Sequence, residues 1–177
     1  MTYTLQQLID EWKLRRGLEP VRSDAAFHRF DALDIDTYIG RLVDKWYHSL
    51  LDSGPDTALI AHDIAPQLIP VSHAATKAVY RLPDGCRRLL QVDVDVSLPP
   101  AVIAEPGSTL ARSQECPFAR GKGGAPVAVR YGDLLHVYSF TTLPDAPPDR
   151  VLAIVTPPEG IYELSAEGLD SIADILS

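Results

Sequence analysis

The residue types that could do chemistry are few in this chain, and they are scattered. The stretch Arg120-Gly121-Lys122-Gly123-Gly124 combines glycines with a lysine, the ingredients of a phosphate-binding loop. Such a loop needs Gly, four residues, then Gly-Lys-Ser/Thr opening a helix, so that backbone amides curl round the phosphates. Here Cys116 stands where the first glycine belongs, Gly123 follows the lysine, and a proline-led strand comes next. The segment reads instead as a basic loop tip, and Arg112, Phe118, Arg120, Lys122 and Arg130 are the candidate partner-contact residues around it. His62-Asp63 has the look of an adjacent metal-ligand pair, but two side chains cannot hold a metal alone, and only His73 is near in sequence. Asp93 and Asp95 would stand roughly 7 Å apart on one face of a strand. A carboxylate pair can bind a cation or serve acid–base chemistry; alternating Val and Asp is also what any half-wet strand shows. Cys86 and Cys116 lack a CxxC partner, no Gly-x-Ser-x-Gly elbow occurs, and His136 alternates with Val137 as a structural strand residue would. No catalytic residue, metal ligand or cofactor is assigned, and a non-enzymatic role is expected.

The elements that must position these residues follow from periodicity. Thr4 caps a helix to about Arg16, with Leu5, Leu8, Ile9 and Trp12 on one stripe and Gly17 as the left-handed stop. Residues 18–33 are mixed and permit a short helix around Ala25, Ala26, Phe27 and Phe30. A second helix, capped by Asp34 or Asp36, carries the pairs Tyr38/Ile39, Leu42/Val43, Trp46/Tyr47 and Leu50/Leu51, a broad apolar face. Ser53-Gly54-Pro55 stops it. Beyond residue 57 the period changes to that of strands, expected at 58–64, 76–82, 88–96, 127–129, 134–140, 151–155 and 161–164. The stretch 104–126, rich in glycine and proline, is expected to be a long loop, and loops of this length usually carry function or move. Ser165 caps a closing helix with Leu169, Ile172, Ala173 and Leu176 at helical spacing. The predicted class is α+β: amino-terminal helices packed on a mainly antiparallel sheet, with a short carboxy-terminal helix. Strands are not interleaved with helices, which excludes a doubly wound nucleotide fold. The organisation expected is one domain over 1–177, with a helical part at about 1–54, a strand-rich part at about 57–164 and the closing helix at about 165–176.

Composition bounds the rest. At 177 residues and 46% hydrophobic, the chain can bury a core without a metal or disulfide. A net charge of −8 repels phosphate backbones and argues against general nucleic-acid binding. The start, Met1-Thr2-Tyr3-Thr4, has no basic and apolar leader pattern, and the aliphatic run at 151–155 is far too short to cross a bilayer. With two lone cysteines, a cytoplasmic protein is expected, with no membrane partner.

One pattern extends over most of residues 36–176. A helical part is followed by a strand ending in Tyr80-Arg81-Leu82-Pro83-Asp84-Gly85, then Leu89-Leu90-Gln91-Val92, and then Arg112-Ser113-Gln114-Glu115-Cys116-Pro117-Phe118. Pro126-Val127-Ala128-Val129, Leu134-Leu135-His136-Val137-Tyr138 and Ile161-Tyr162-Glu163-Leu164 complete the order. This order resembles the small head–tail connector (adaptor) proteins of tailed bacteriophages and prophages. In that family a leucine-proline-acidic turn separates strands that sit on a helical bundle, and subunits form a ring beneath the portal. The last helix commonly continues into further helical structure; here it is expected to stop at Ser177. The resemblance implies a non-catalytic virion structural or assembly protein, virion-associated, with a portal-like ring and copies of itself as partners. The rival expectations are a small-ligand or peptide-binding module with a pocket near His62, His73 and His136, and a hydrolase using Asp93, Asp95 or the histidines.

Overall fold

The computed structural model describes residues 1–17, 35–74, 76–120, 124–139 and 147–176. In chain order the elements are β1 (Thr2–Thr4), α1 (Leu5–Arg15), α2 (Ile35–Ser53), β2 (His62–Asp63), β3 (Ile69–Ala74), β4 (Lys77–Arg81) and β5 (Cys86–Asp93). After them come β6 (Val102–Ala104), α3 (Thr109–Glu115), β7 (Val127–Tyr131), β8 (Leu134–Tyr138), β9 (Arg150–Val155), β10 (Ile161–Glu163) and α4 (Ala166–Asp170). Short 3-10 turns stand at Asp56–Ala58, Ala65–Gln67 and Ser171–Leu176. The class is α+β, as its sequence pattern predicts. The chain divides into two compact units, one made of 1–60 with 157–177, the other of 61–156. Among the described residues no helix is long and apolar enough to cross a membrane.

In the first unit, Thr4 and Gln7 close a capping box at the start of α1, and Gly17 takes φ 69 just beyond its end. Leu8, Ile9 and Trp12 bury the expected stripe. On α2 the pairing is narrower than its sequence suggests. Ile39, Val43, Tyr47, Leu50 and Leu51 are buried, whereas Tyr38 is 51% exposed and Leu42 and Trp46 are only partly covered. The expected short helix within 18–33 and the Asp34 cap lie outside the described residues. β1 pairs antiparallel with β10, and Tyr47 and Tyr162 meet edge to face with ring centroids 5.0 Å apart. The Tyr162 hydroxyl donates to Asp44 and the Glu163 amide donates to Tyr47 Oη at 3.0 Å, so β10 is fastened to α2. Ser165 caps α4 as expected, and its hydroxyl also donates to Thr57 O at 2.6 Å. At Gly168 the helix comes so close that a Cβ would stand 2.0 Å from the Ala58 carbonyl oxygen.

The second unit is built of two sheets, in the orders β2-β9-β5 and β3-β4-β8-β7-β6. All pairings are antiparallel except β6 with β7. One face of the five-stranded sheet (Ala78, Tyr80, Ala128, Leu135 and Val137) packs with Val92, Val151 and Ala153 of the three-stranded sheet in one core. Its other face carries Val127, Val129 and Tyr138 beneath Ala111 of α3. The Ala101 amide donates to Val92 O at 2.7 Å, tying the lead into β6 to β5. Gly85 at φ 80 completes the Leu82-Pro83-Asp84-Gly85 turn.

Three sequence expectations are corrected. The run 58–64 is not one strand: Pro55 and Asp56 open a 3-10 turn, Leu59 only bridges Leu164, and β2 is limited to His62–Asp63. β3 was not expected at all. It is exposed along its whole length, contains Pro70 and has a register irregularity between Pro70 and Ser72. Both features blunt an open sheet edge. Last, 104–126 is not a continuous loop, because Ser108 Oγ accepts from the Ala111 amide and starts α3.

Candidate functional site

A polar cluster lies where α3 meets the five-stranded sheet. β8 alternates, so His136 and Tyr138 share the face that looks at α3. Register on β4 places Lys77 opposite Tyr138 on that same face. The Tyr138 hydroxyl donates to Glu115 Oε1 at the end of α3, and His136 Nδ1 lies 3.1 Å from the same hydroxyl. Because the tyrosine proton points at the carboxylate, its oxygen accepts from the histidine, which fixes the Nδ1–H tautomer. A directional chain results: His136 to Tyr138 to Glu115. Lys77 Nζ lies 5.1 Å and Arg120 Cζ 5.4 Å from the Tyr138 ring centroid, within cation–π range. Lys77 Nζ is also 3.9 Å from Glu115 Oε2.

These contacts shift each group for a physical reason. The Tyr138 hydrogen bond, then Lys77 and the other nearby cations, hold the Glu115 carboxyl below its ordinary range against a smaller burial effect. Burial and then the Glu115 carboxylate push the Tyr138 phenol far up. Burial, with Lys77 beside it, lowers His136 despite the attraction of Glu115. At neutral pH the chain is therefore neutral imidazole, neutral phenol and carboxylate.

Beside it sits a buried amide–hydroxyl pair. Gln114 and Ser139 are 4% and 1% exposed, and Ser139 Oγ donates to Gln114 Oε1 at 2.7 Å. Ser139 adopts φ 62, a left-handed conformation that costs a non-glycine residue on the order of 1 kcal/mol. It is held there by its amide, which donates to Thr76 O at 3.1 Å.

The predicted contact residues fall into two groups. Arg112 and Phe118 are exposed, Phe118 fully. Arg120 is tied down: Nε donates to Gln114 O at 2.8 Å and Nη1 to Thr76 Oγ1 at 2.5 Å. Arg130 holds backbone carbonyls, donating to Gly132 O at 2.9 Å, to Cys86 O at 2.7 Å and to Arg87 O. Lys122 lies outside the described residues.

The residues weighed for chemistry do not converge. His73 pairs with Ala78 and His136 with Val79, so the two histidines occupy opposite faces of the sheet. His62 belongs to β2 in the other sheet. Asp63 Oδ1 accepts from the Ala65 and Val151 amides, both at 3.0 Å. Asp93 accepts from Arg150 Nε at 3.0 Å and from Gln91 Nε2 at 2.9 Å. β5 ends at Asp93, and Asp95 instead closes a turn on the Ser97 amide at 2.8 Å; the same-face carboxylate pair does not form. Among the described residues no group of three or more His, Cys, Asp or Glu is placed to hold a metal. Cys86 is buried, which pushes its thiol up, and Cys116 is exposed.

No family model, curated protein or solved structure matches the chain.

Proposed function

We propose that this chain is a non-catalytic assembly protein acting through protein–protein contacts, in the manner of the phage and prophage head–tail connectors whose sequence order it resembles. Its partners on this reading are a portal-like ring and copies of itself. The observation that supports it best is the exposure of Val102, Ile103, Leu110 and Phe118 along one short stretch, with Phe118 at 100%. The exposed Arg112 lies on the same stretch. Arginine and aromatic residues are the types that anchor interfaces, where one aromatic ring buries a large apolar area. Of the residues weighed for hydrolysis, Asp93, Asp95 and His136 support the same reading, since they serve a strand pair, a turn and the α3 contact.

Sedimentation and electron microscopy of the purified chain, alone and with a portal ring, test this. Higher-order rings or portal-bound complexes are expected, and Phe118→Ser should weaken them while leaving the far-ultraviolet circular dichroism unchanged. A chain that stays monomeric at high concentration and ignores the portal would overturn the proposal.

A further inference from the structure

Polar ties, more than apolar burial, fasten α3 to its sheet. Only Ala111 and Gln114 are buried on this seven-residue helix. A methyl and an amide contribute little transfer free energy compared with a Leu or Phe. The remaining fastenings are the Gln114–Ser139 and Glu115–Tyr138 hydrogen bonds, the Lys77–Glu115 pair, and Arg120 bound to Thr76 Oγ1. All of them lie at the carboxy-terminal end of the segment. Its other end is Gly107, at φ 78 with nothing within 4 Å of a notional Cβ, immediately before the Ser108 cap. A left-handed glycine in the Glu105–Ser108 turn on one side and a row of exchangeable polar contacts on the other is the layout of a hinge and its catch. Beneath lie Ala104, Val127, Val129 and Tyr138, packed with Ala111.

We infer that residues 108–120 form a hinged strap that lifts from the five-stranded sheet as one local unit, with Gln114, Glu115 and Arg120 as its catches. The core between the two sheets contains no residue of the strap, so lifting leaves that core intact and uncovers the valines of β7. The inference stands on the fold alone and not on the assembly reading.

Hydrogen exchange of the full chain, read by mass spectrometry at neutral pH, tests it. The amides of 112–116 are expected to exchange at least about tenfold faster than those of β7 and β8, by opening below the global unfolding limit. Tyr138→Phe should speed 112–116 a further several-fold and leave β5 and β9 unchanged. Glu115→Gln, a milder change at a half-exposed side chain, should do the same to a smaller extent and serves if the tyrosine variant does not fold. Protection of 112–116 equal to that of the strands, or variants that speed every element alike, would sink the strap.

Discussion

Two short helices, α4 and α3, are capped in the same way and anchored in opposite ways. Each begins at a serine whose hydroxyl accepts from the amide three residues on, Ser165 from Gly168 and Ser108 from Ala111. α4, with 5 residues, then lies flush against the Ala58 backbone, flanked by the fully buried Leu164 and Ile172. α3, with 7 residues, buries one methyl and one amide and relies on hydrogen bonds and a cluster of charges. Both are too short to persist by propensity, so tertiary anchoring decides whether they form. A cap sets where a helix starts, and the anchor sets how firmly it stays.

Gly168→Ala should release α4 from the Ala58 backbone. The added methyl must displace backbone, not a side-chain tip, so a loss of about 3 kcal/mol is expected. It should appear as a thermal midpoint lowered by roughly 6–12 °C, since each kcal/mol shifts a chain of this size by a few degrees. A midpoint within about 2 °C of the parent would show that α4 is not pinned by that approach.

Next in size is the buried pair under α3. Ser139→Ala leaves the Gln114 amide without its partner, and Gln114→Ala leaves the Ser139 hydroxyl likewise, each costing about 2 kcal/mol. The double variant should cost less than the sum, because it removes both polar groups together. Strict additivity in urea unfolding would mean that the two side chains do not depend on each other.

Acid separates the helices by a smaller effect. Glu115 is depressed in the fold, so its contribution is fully present above the ordinary value of 4.5 and is lost as pH falls through its lower folded value. His136 is also depressed, so the unfolded chain takes up the proton first. Stability begins to fall as pH drops below the ordinary 6.5. Both act in one direction: acidification loosens α3. The Gly168 approach involves no titrating group, and the carboxylates of α4 make only exposed contacts, Glu167 with Thr57 and Asp170 with Arg15, so exchange in α4, corrected for its intrinsic rate, should change less between pH 7 and 4 than exchange in α3. Equal loosening of the two would erase the distinction.

The smallest expected effect is a control. Phe118→Ser removes a fully exposed side chain and should shift stability by no more than about 0.5 kcal/mol. A larger loss in denaturant unfolding would place Phe118 against structure after all.

Much of this framework is legible in the residues. α1 and α2 announce themselves through apolar stripes, Thr4 and Ser165 through their caps, and β4, β5, β7, β8 and β9 through short apolar runs between turn signals. β3 is not legible because Ile69-Pro70-Val71-Ser72-His73-Ala74 lies exposed on both faces, and nothing buried imprints a period of two. α3 escapes for a similar reason: one buried alanine and one buried glutamine leave no apolar stripe. The polar cluster joins α3, β4 and β8, whose residues adjoin only after the sheet has formed. The one advance signal was His136 and Tyr138 at i and i+2, which promises a shared face without naming Glu115 as the group it meets. Arg120 and Arg130 looked like free surface charge because the carbonyls they hold belong to backbone, which side-chain patterns do not report.

The pairing of β1 with β10 carries a consequence for biosynthesis. Strand β1 and helix α2 leave the ribosome before the 61–156 segment and meet β10 only after it has emerged. At typical elongation rates that is a delay of about 5–20 s. The segment 61–156 holds its own core and can settle in that interval, whereas β1 and the Tyr47 ring must wait for β10 and Tyr162.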